Sequence, residues 1–281
     1  MISSRLAPES LFPGAVEDAV AGLQYMATHQ PEVLGPDTAA GKLLVCGDSA
    51  GGGLALALLE AIRTGGVFGK GVREEDVGVA GEAAAAGPTA PPRTPAPRLT
   101  VAGCATISAW TDLTCTVETY ATRTTDPIFS TGNPAADSLA GSTGAMRYVG
   151  TVADMVNPLA SPMHTPAAGL AELPKLLMMV GDAEVMLGDT TEYAALALEA
   201  GTDNLTLRIF RSMWHCWPLY CEGCGQFPEE AAQRMFPTKH AEMGGGVATR
   251  GDAASSEVGF APAVDALAEI GSFFRTIAAT P

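Results

Sequence analysis

The sequence is poor in positive charge and contains no long apolar run. Lysine and arginine together number 16, against 31 aspartate and glutamate residues, so the formal net charge is -15. This acidity argues against nucleic acid and anionic membrane surfaces as partners. No apolar run reaches the ~18 residues of a membrane-spanning helix, and the first five residues, Met-Ile-Ser-Ser-Arg, lack the features of a secretory signal. We therefore expect a cytoplasmic protein without a membrane span.

A second pair of closely spaced cysteines is also missing. The six cysteines are scattered along the chain, which favours free thiols in a reducing compartment over a disulfide framework. His215, Cys216, Cys221 and Cys224 lie close together, but a zinc site would need a second pair of ligands at suitable spacing, and none is present. A metal-binding module is thus a distant alternative, and we expect neither a metal nor another cofactor.

The segments that remain alternate between helix and strand, with crossovers long enough for a parallel sheet. Predicted strands cover residues 42–46, 99–107, 175–180 and 205–210. Predicted helices cover residues 12–29, 54–63, 190–200 and 263–276, and the region 116–172 is expected to be irregular with weak helical patches. These elements predict one α/β domain over residues 1–281, with low-complexity insertions at about 65–97 and 223–256.

A candidate nucleophile lies between the first predicted strand and the helix that follows it. Residues 47–51 read Gly-Asp-Ser-Ala-Gly and fit the pattern G-x-S-x-G. The pattern alone is weak, but its position between a buried strand and a helix is the one that a strained nucleophile turn requires. The helix N-terminus behind it brings backbone N–H groups close to a developing oxyanion. We predict Ser49 as the nucleophile.

A serine hydroxyl needs a base to take its proton and an acid to orient that base. Of the four histidines, His215 follows a predicted strand and lies in a loop, where sheets of this kind carry their catalytic groups. His215 is therefore the predicted base. The acid should follow the strand that ends at Val180, which leaves Asp182, Glu184 and Asp189 as candidates that the residues alone do not separate.

Several segments, in order along the chain, resemble the hormone-sensitive-lipase-like branch of the α/β-hydrolases, a group of carboxylesterases. They are Arg-Leu-Ala-Pro-Glu at 5–9, Gly-Asp-Ser-Ala-Gly-Gly at 47–52, Ser-Ala-Trp-Thr-Asp-Leu-Thr at 108–114, Ser-Pro at 161–162, Gly-Asp-Ala-Glu-Val-Met-Leu at 181–187 and Met-Trp-His at 213–215. The resemblance implies an α/β-hydrolase fold, with helices on both faces of a mostly parallel sheet. It also implies hydrolysis of small-molecule esters with short or medium acyl groups, through an acyl-enzyme.

The resemblance assigns the acid to Glu184, with Asp182 as the alternative and Asp189 as the second acidic residue of the family pattern. Asp48 is expected to brace the serine turn without reacting. The family carries a His-Gly-Gly-Gly segment, which supplies most of its oxyanion hole, upstream of the Arg-Leu-Ala-Pro-Glu segment. Here that segment starts at Arg5, so we expect the oxyanion segment and the N-terminal strands to be missing. The Ala50 N–H is then the assignable oxyanion donor.

The sequence is therefore compatible with two functions. The first is a serine carboxylesterase that uses Ser49, Glu184 and His215. The second is a catalytically impaired homologue or fragment that binds a small ligand or a partner.

Overall fold

The computed structural model describes residues 4–28, 42–64, 100–124, 126, 144–220 and 261–279. Within these residues four strands form a parallel sheet with the spatial order β1–β2–β3–β4. The strands are β1 (Lys42–Asp48), β2 (Thr100–Ile107), β3 (Lys175–Gly181) and β4 (Leu205–Phe210). All four predicted strands are present, and the prediction of an α/β fold with a parallel sheet is confirmed.

Helices precede, separate and follow these strands. They are α1 (Gly14–Thr28), α2 (Ser49–Thr64), α3 (Thr119–Thr122), α4 (Ala167–Ala171), α5 (Leu187–Glu199) and α6 (Ala261–Ala278). Residues 144–149 are also helical, and short 3-10 helices occupy Ala153–Val156, Pro162–His164 and Trp217–Tyr220. The region that was expected to hold weak helical patches contains only such short helices within its described residues.

The two faces of the sheet carry separate apolar clusters, because successive side chains of a strand point to opposite sides. On one face, Cys104, Leu176 and Met178 pack against side chains of α2 and α5. On the other face, Ile107, Leu177 and Met179 pack against α6 and against Trp214 and Trp217. Helices therefore cover both faces, as predicted, and the interior strand β3 is buried along most of its length.

The first helix packs on the second. The apolar face of α1 contains Val16, Ala19, Val20 and Leu23, and all four are buried against residues of α2. This packing joins the N-terminal part of the chain to the helix that begins at the candidate nucleophile.

The prediction that α2 starts at Leu54 was wrong, since the helix begins five residues earlier, at Ser49. Glycine disfavours a helix interior, which is why the glycines after Ser49 were interpreted as a turn. Packing overrides that preference. A Cβ added to Gly52 would lie 2.9 Å from the Ala109 Cβ, and one added to Gly53 would lie 3.3 Å from the carbonyl carbon of Trp110. These glycines let α2 approach the segment that follows β2.

Other predictions fall largely outside the described residues. The two low-complexity insertions, at 65–97 and 223–256, lie there, so the interpretation as one domain stays a prediction.

Within the described sheet β1 is an end strand, and its Cys46 side chain is exposed. Four described cysteines are free thiols: Cys46, Cys104, Cys115 and Cys216. In the described part of the chain, every helix is too short or too polar to cross a bilayer.

Candidate active site

The candidate nucleophile occupies a sharp turn without a connecting loop. Strand β1 ends at Asp48 and α2 begins at Ser49, whose φ of 52° lies in the left-handed region that non-glycine residues disfavour. A Cβ added to Gly47 would lie 2.6 Å from the carbonyl carbon of Gly51 and closer still to its oxygen. The turn thus requires glycine at position 47, while the Ser49 side chain projects from its apex.

The structure brings His215 to this serine. The His215 Nε2 lies 2.8 Å from the Ser49 Oγ, and the histidine is 4% exposed. His215 lies in the loop after β4, where the Asp182 Oδ1 accepts the backbone N–H of Ser212 at 2.6 Å. His164 lies elsewhere, with its Nε2 3.4 Å from an oxygen of Asp112. The remaining two histidines, at 29 and 240, lie outside the described residues.

Glu184 is the carboxylate in contact with the histidine. Its Oε2 lies 2.8 Å from the His215 Nδ1. Its Oε1 accepts the Gly181 N–H at 2.7 Å and the Ser108 hydroxyl at 2.8 Å. Glu184 is fully buried. Burial raises the pKa of its carboxyl group, and the hydrogen bonds from His215, Gly181 and Ser108 oppose that rise by favouring the carboxylate.

The other two candidate acids have structural contacts of their own. Asp182 holds the turn at Ser212, as described above, and is therefore tied to the histidine loop through the backbone. Asp189 is buried in α5, and its Oδ2 accepts the N–H groups of Thr111 at 2.8 Å and Asp112 at 3.0 Å. Burial raises the pKa of Asp189 to about 7. Asp189 thus anchors the loop that follows β2.

Two buried residues near the site were given no role from the sequence. Ser108 is part of the Ser-Ala-Trp-Thr-Asp-Leu-Thr segment, but serine is too common for its type alone to indicate a contact. Asp126 is fully buried, and its Oδ2 accepts the N–H of Val185, the residue after Glu184, at 2.9 Å. A carboxylate in a region expected to be irregular gave no signal of this contact. Both residues hold the segment that carries the acid.

Asp48 and Cys216 connect the nucleophile turn to the histidine loop. The Cys216 Sγ lies 3.9 Å from the Asp48 Oδ2, and burial raises the pKa of this thiol. The contact agrees with a bracing role for Asp48. The metal-binding alternative involved Cys216 with two cysteines at 221 and 224, which lie outside the described residues. Among the described residues, no group of three histidine, cysteine or acidic side chains is placed to hold a metal ion.

Ala50 is the second residue of α2 and is exposed. The first N–H groups of a helix have no partner within the helix, and the role of the Ala50 N–H as an oxyanion donor stays a prediction. The arrangement as a whole places a hydroxyl, an imidazole and a buried carboxylate in one chain of hydrogen bonds, next to a helix N-terminus. This is the chemistry that acyl transfer to a serine requires.

Comparison with known proteins points in the same direction. A family model described as "alpha/beta hydrolase fold" matches residues 1–219. The acetyl-hydrolase of Streptomyces hygroscopicus is 33% identical over 216 residues, which make up 77% of this chain and 56% of that protein.

Solved structures of esterases have the same fold. EstE5, in crystals soaked with p-nitrophenyl butyrate, is 31% identical with a TM-score of 0.54, and the match covers 83% of this chain and 61% of EstE5. An esterase from the bacterial hormone-sensitive lipase family is 28% identical with a TM-score of 0.55, over 83% of this chain and 61% of that one. The chain thus spans somewhat more than half the length of these relatives.

Proposed function

Because the chain belongs to the α/β-hydrolase fold family, in its hormone-sensitive-lipase-like branch, we propose that it is a serine carboxylic-ester hydrolase. Ser49 is the nucleophile, His215 is the general base and then the general acid, and Glu184 orients His215. The reaction proceeds through an acyl-enzyme and needs no metal or organic cofactor.

One observation carries the proposal: the continuous hydrogen-bond chain from serine to histidine to glutamate. Both links, Ser49 Oγ to His215 Nε2 and His215 Nδ1 to Glu184 Oε2, measure 2.8 Å. These residues lie 166 and 31 positions apart in the sequence, so the fold and not local spacing brings them together. A histidine that only filled the core would not need a hydroxyl on one nitrogen and a buried carboxylate on the other.

In the acylation half of the reaction, His215 Nε2 accepts the Ser49 proton as the serine oxygen attacks the ester carbonyl carbon. Glu184 accepts the Nδ1–H, which fixes the tautomer with a free Nε2 lone pair and stabilises the imidazolium that forms. The negative charge that develops on the carbonyl oxygen lies near the start of α2, where we assign the Ala50 N–H as a donor. The imidazolium then protonates the leaving alcohol, and the acyl group remains on Ser49.

Deacylation repeats the same proton movements with water. His215 takes a proton from a water molecule, the resulting hydroxide adds to the acyl carbon, and the proton is returned to the Ser49 oxygen as the acid leaves. Ser49, where the water reacts, is half-buried, whereas Glu184 is fully buried.

We propose esters with short or medium acyl groups as substrates. Support comes from the relatives: one is an acetyl-hydrolase, and crystals of another were soaked with a butyrate ester. p-Nitrophenyl acetate and butyrate are therefore the first substrates to assay, with the dodecanoate ester as the long-chain comparison.

A fluorophosphonate probe, which reacts covalently with activated serines, tests the proposal. The matched pair of variants is Ser49→Ala and Ser272→Ala, because Ser272 is an exposed serine of α6, far along the chain from the site. We expect labelling of the wild-type chain and of Ser272→Ala, no labelling of Ser49→Ala, and a loss of kcat of at least about 10³-fold in that variant.

Labelling that persists in Ser49→Ala would assign the reactivity to another residue and overturn the proposed nucleophile. Wild-type protein that is folded by circular dichroism but neither labels nor hydrolyses either short ester would favour the catalytically impaired homologue.

A further inference from the structure

We propose that Ser108 is a positioning residue that fixes the acid Glu184 and the base His215 relative to each other. The inference rests on the proposed function, because it assigns a task within the same site. The Ser108 hydroxyl acts through Glu184 and through the peptide that follows His215.

The Ser108 hydroxyl makes two hydrogen bonds, one to each partner. It donates to the Glu184 Oε1 at 2.8 Å, and it accepts the backbone N–H of Cys216 at 2.9 Å. Ser108 is fully buried, so neither bond is exposed to bulk water. One oxygen atom therefore links the carboxylate to the histidine loop at a point one residue from the imidazole.

The backbone at Ser108 is bent so that the hydroxyl reaches these partners. Ser108 follows the last residue of β2, and its N–H still bonds the Met179 carbonyl of β3 at 2.8 Å. Its φ of 51° lies in the left-handed region, where a residue with a Cβ is strained and glycine is not. Cys216 also lies in the left-handed region, with a φ of 53°. The residue that donates the N–H and the residue whose hydroxyl accepts it therefore share this conformation. Serine at a strained buried position indicates that its side chain is required there.

The segment that starts at Ser108 is itself fixed on two sides. The Trp110 N–H bonds the Ser49 carbonyl at 3.0 Å, so the same short loop also contacts the nucleophile turn. The next residue, Thr111, donates its N–H to the buried carboxylate of Asp189, and its hydroxyl bonds the Asp189 carbonyl. Ser108 thus belongs to a rigid support that reaches the nucleophile, the acid and the base.

The consequence for catalysis follows from the geometry of the carboxylate. With Oε1 held by Ser108 and by the Gly181 N–H, Glu184 is left with Oε2 facing the His215 Nδ1. Without the Ser108 hydroxyl, the carboxylate keeps one fixing bond and the Cys216 N–H loses its acceptor. The orientation of the imidazole becomes less sharply defined, which lowers turnover more than substrate binding.

Ser161 provides a matched control. It is also fully buried and also makes two hydrogen bonds, donating to the Met155 carbonyl at 2.5 Å and accepting the Leu113 N–H at 3.0 Å, but it contacts none of the three site residues. Removal of its hydroxyl creates a comparable defect in the interior without altering Glu184 or His215.

The experiment compares Ser108→Ala, Ser108→Gly and Ser161→Ala with wild type. Glycine is included because it removes the hydroxyl while relieving the backbone strain, so it stays informative if the alanine variant fails to fold. We expect kcat to fall about 10–100-fold in both Ser108 variants, with KM changed less than about threefold. We expect Ser161→Ala to keep kcat within about twofold of wild type even if it unfolds at lower temperature.

The pH profile supplies a readout that a purely structural role would not alter. Burial raises the pKa of the Glu184 carboxyl, and the Ser108 hydroxyl acts against that rise. Its removal should displace the acidic limb of the kcat/KM profile in the Ser108 variants and leave it unchanged in Ser161→Ala.

A third readout does not depend on turnover. The Nδ1 proton between His215 and Glu184 should give a downfield proton resonance, assigned by its absence in His215→Gln. We expect this resonance to move upfield or broaden in both Ser108 variants and to persist in Ser161→Ala. An inactive wild type would refute the proposed function and leave the resonance to decide the role of Ser108. An unchanged resonance, together with a loss of activity no greater than in Ser161→Ala, would overturn the inference.

Discussion

Replacement of Gly47 by alanine inserts a methyl group into the backbone of the nucleophile turn. The added Cβ would lie 2.6 Å from the carbonyl carbon of Gly51 and 2.9 Å from the nitrogen of Gly52. Both atoms belong to the first turn of α2, so no flexible side chain can move aside to make room. Relief of the clash requires α2 and the Ser49 turn to shift away from β1.

The size of the effect follows from this rigidity. Overpacking costs typically 1–3 kcal/mol, and a clash against backbone on a packed helix belongs near ~3 kcal/mol. For a protein of this size, that cost corresponds to a fall in Tm of about 6–12 °C. The loss of kcat should be larger than the loss of stability alone implies. A displacement of about 1 Å can cost 10²-fold in rate, and the Ser49 to His215 contact depends on this turn.

Gly51→Ala is the control, because a Cβ at Gly51 meets no atom within 4 Å and lies on the exposed side of the same helix. Alanine at that position should leave the Tm unchanged or raise it, since alanine is favoured over glycine in helices by roughly 0.5–1 kcal/mol. Thermal unfolding by circular dichroism and hydrolysis of p-nitrophenyl acetate measure both effects. A Gly47→Ala variant with the stability and turnover of Gly51→Ala would refute the steric reasoning.

Two further substitutions test the carboxylates. Glu184→Gln should keep the fold and lower kcat by ~10³–10⁴-fold, because the amide can hold the wrong imidazole tautomer. Asp182→Asn should lower kcat by less than about tenfold, because its amide oxygen can still accept the Ser212 N–H. Esterase assays on both variants measure these values of kcat. Burial raises the pKa of Asp189 from an ordinary value of 3.8 to about 7, so the folded state binds a proton that the unfolded state releases between these values. The resulting stability is fully present below pH ~4 and is lost as the pH rises through ~7. Between pH 5.5 and 7.5, the free energy of unfolding of wild type should therefore fall by about 1–2 kcal/mol relative to that of Asp189→Asn, as measured by urea unfolding.

If Asp182→Asn were as inactive as Glu184→Gln, the contact between Glu184 and His215 would not be the one that orients the base. Parallel stability curves for wild type and Asp189→Asn across that pH range would show that the buried carboxyl group titrates with an ordinary pKa.

The elements of the fold were predictable wherever hydrophobic periodicity was strong. The apolar runs that became β1 and β3 and the alternating run that became β4 were identified as strands, and residues 12–29 were identified as a helix. The start of α2 was misplaced, because Gly52 and Gly53 disfavour a helix locally and are helical only since they pack against Ala109 and Trp110. Local propensity carries no information about such a contact.

The site was predictable to a similar degree. Ser49 was identified from a motif in its required context, and His215 from its place after a strand. The residues themselves left the acid open among three carboxylates, because the three lie within eight positions of one another and differ only in where the fold directs them. Ser108 could not be recognised from the sequence. Local sequence indicates neither its left-handed backbone nor its hydrogen bond to Glu184, 76 positions away.

The strand that leads to His215 lies at the outer end of the described sheet, and its side chains are far less buried than those of β3. Peripheral elements open more readily than central ones, through partial unfolding that leaves the rest of the protein folded. A fluctuation that releases this strand would carry the imidazole away, whereas the serine turn is held to the segment after β2 by the bond from the Trp110 N–H to the Ser49 carbonyl. Heat or urea should therefore abolish ester hydrolysis before most of the helical circular-dichroism signal is lost. Cooling or dilution should restore turnover without complete refolding.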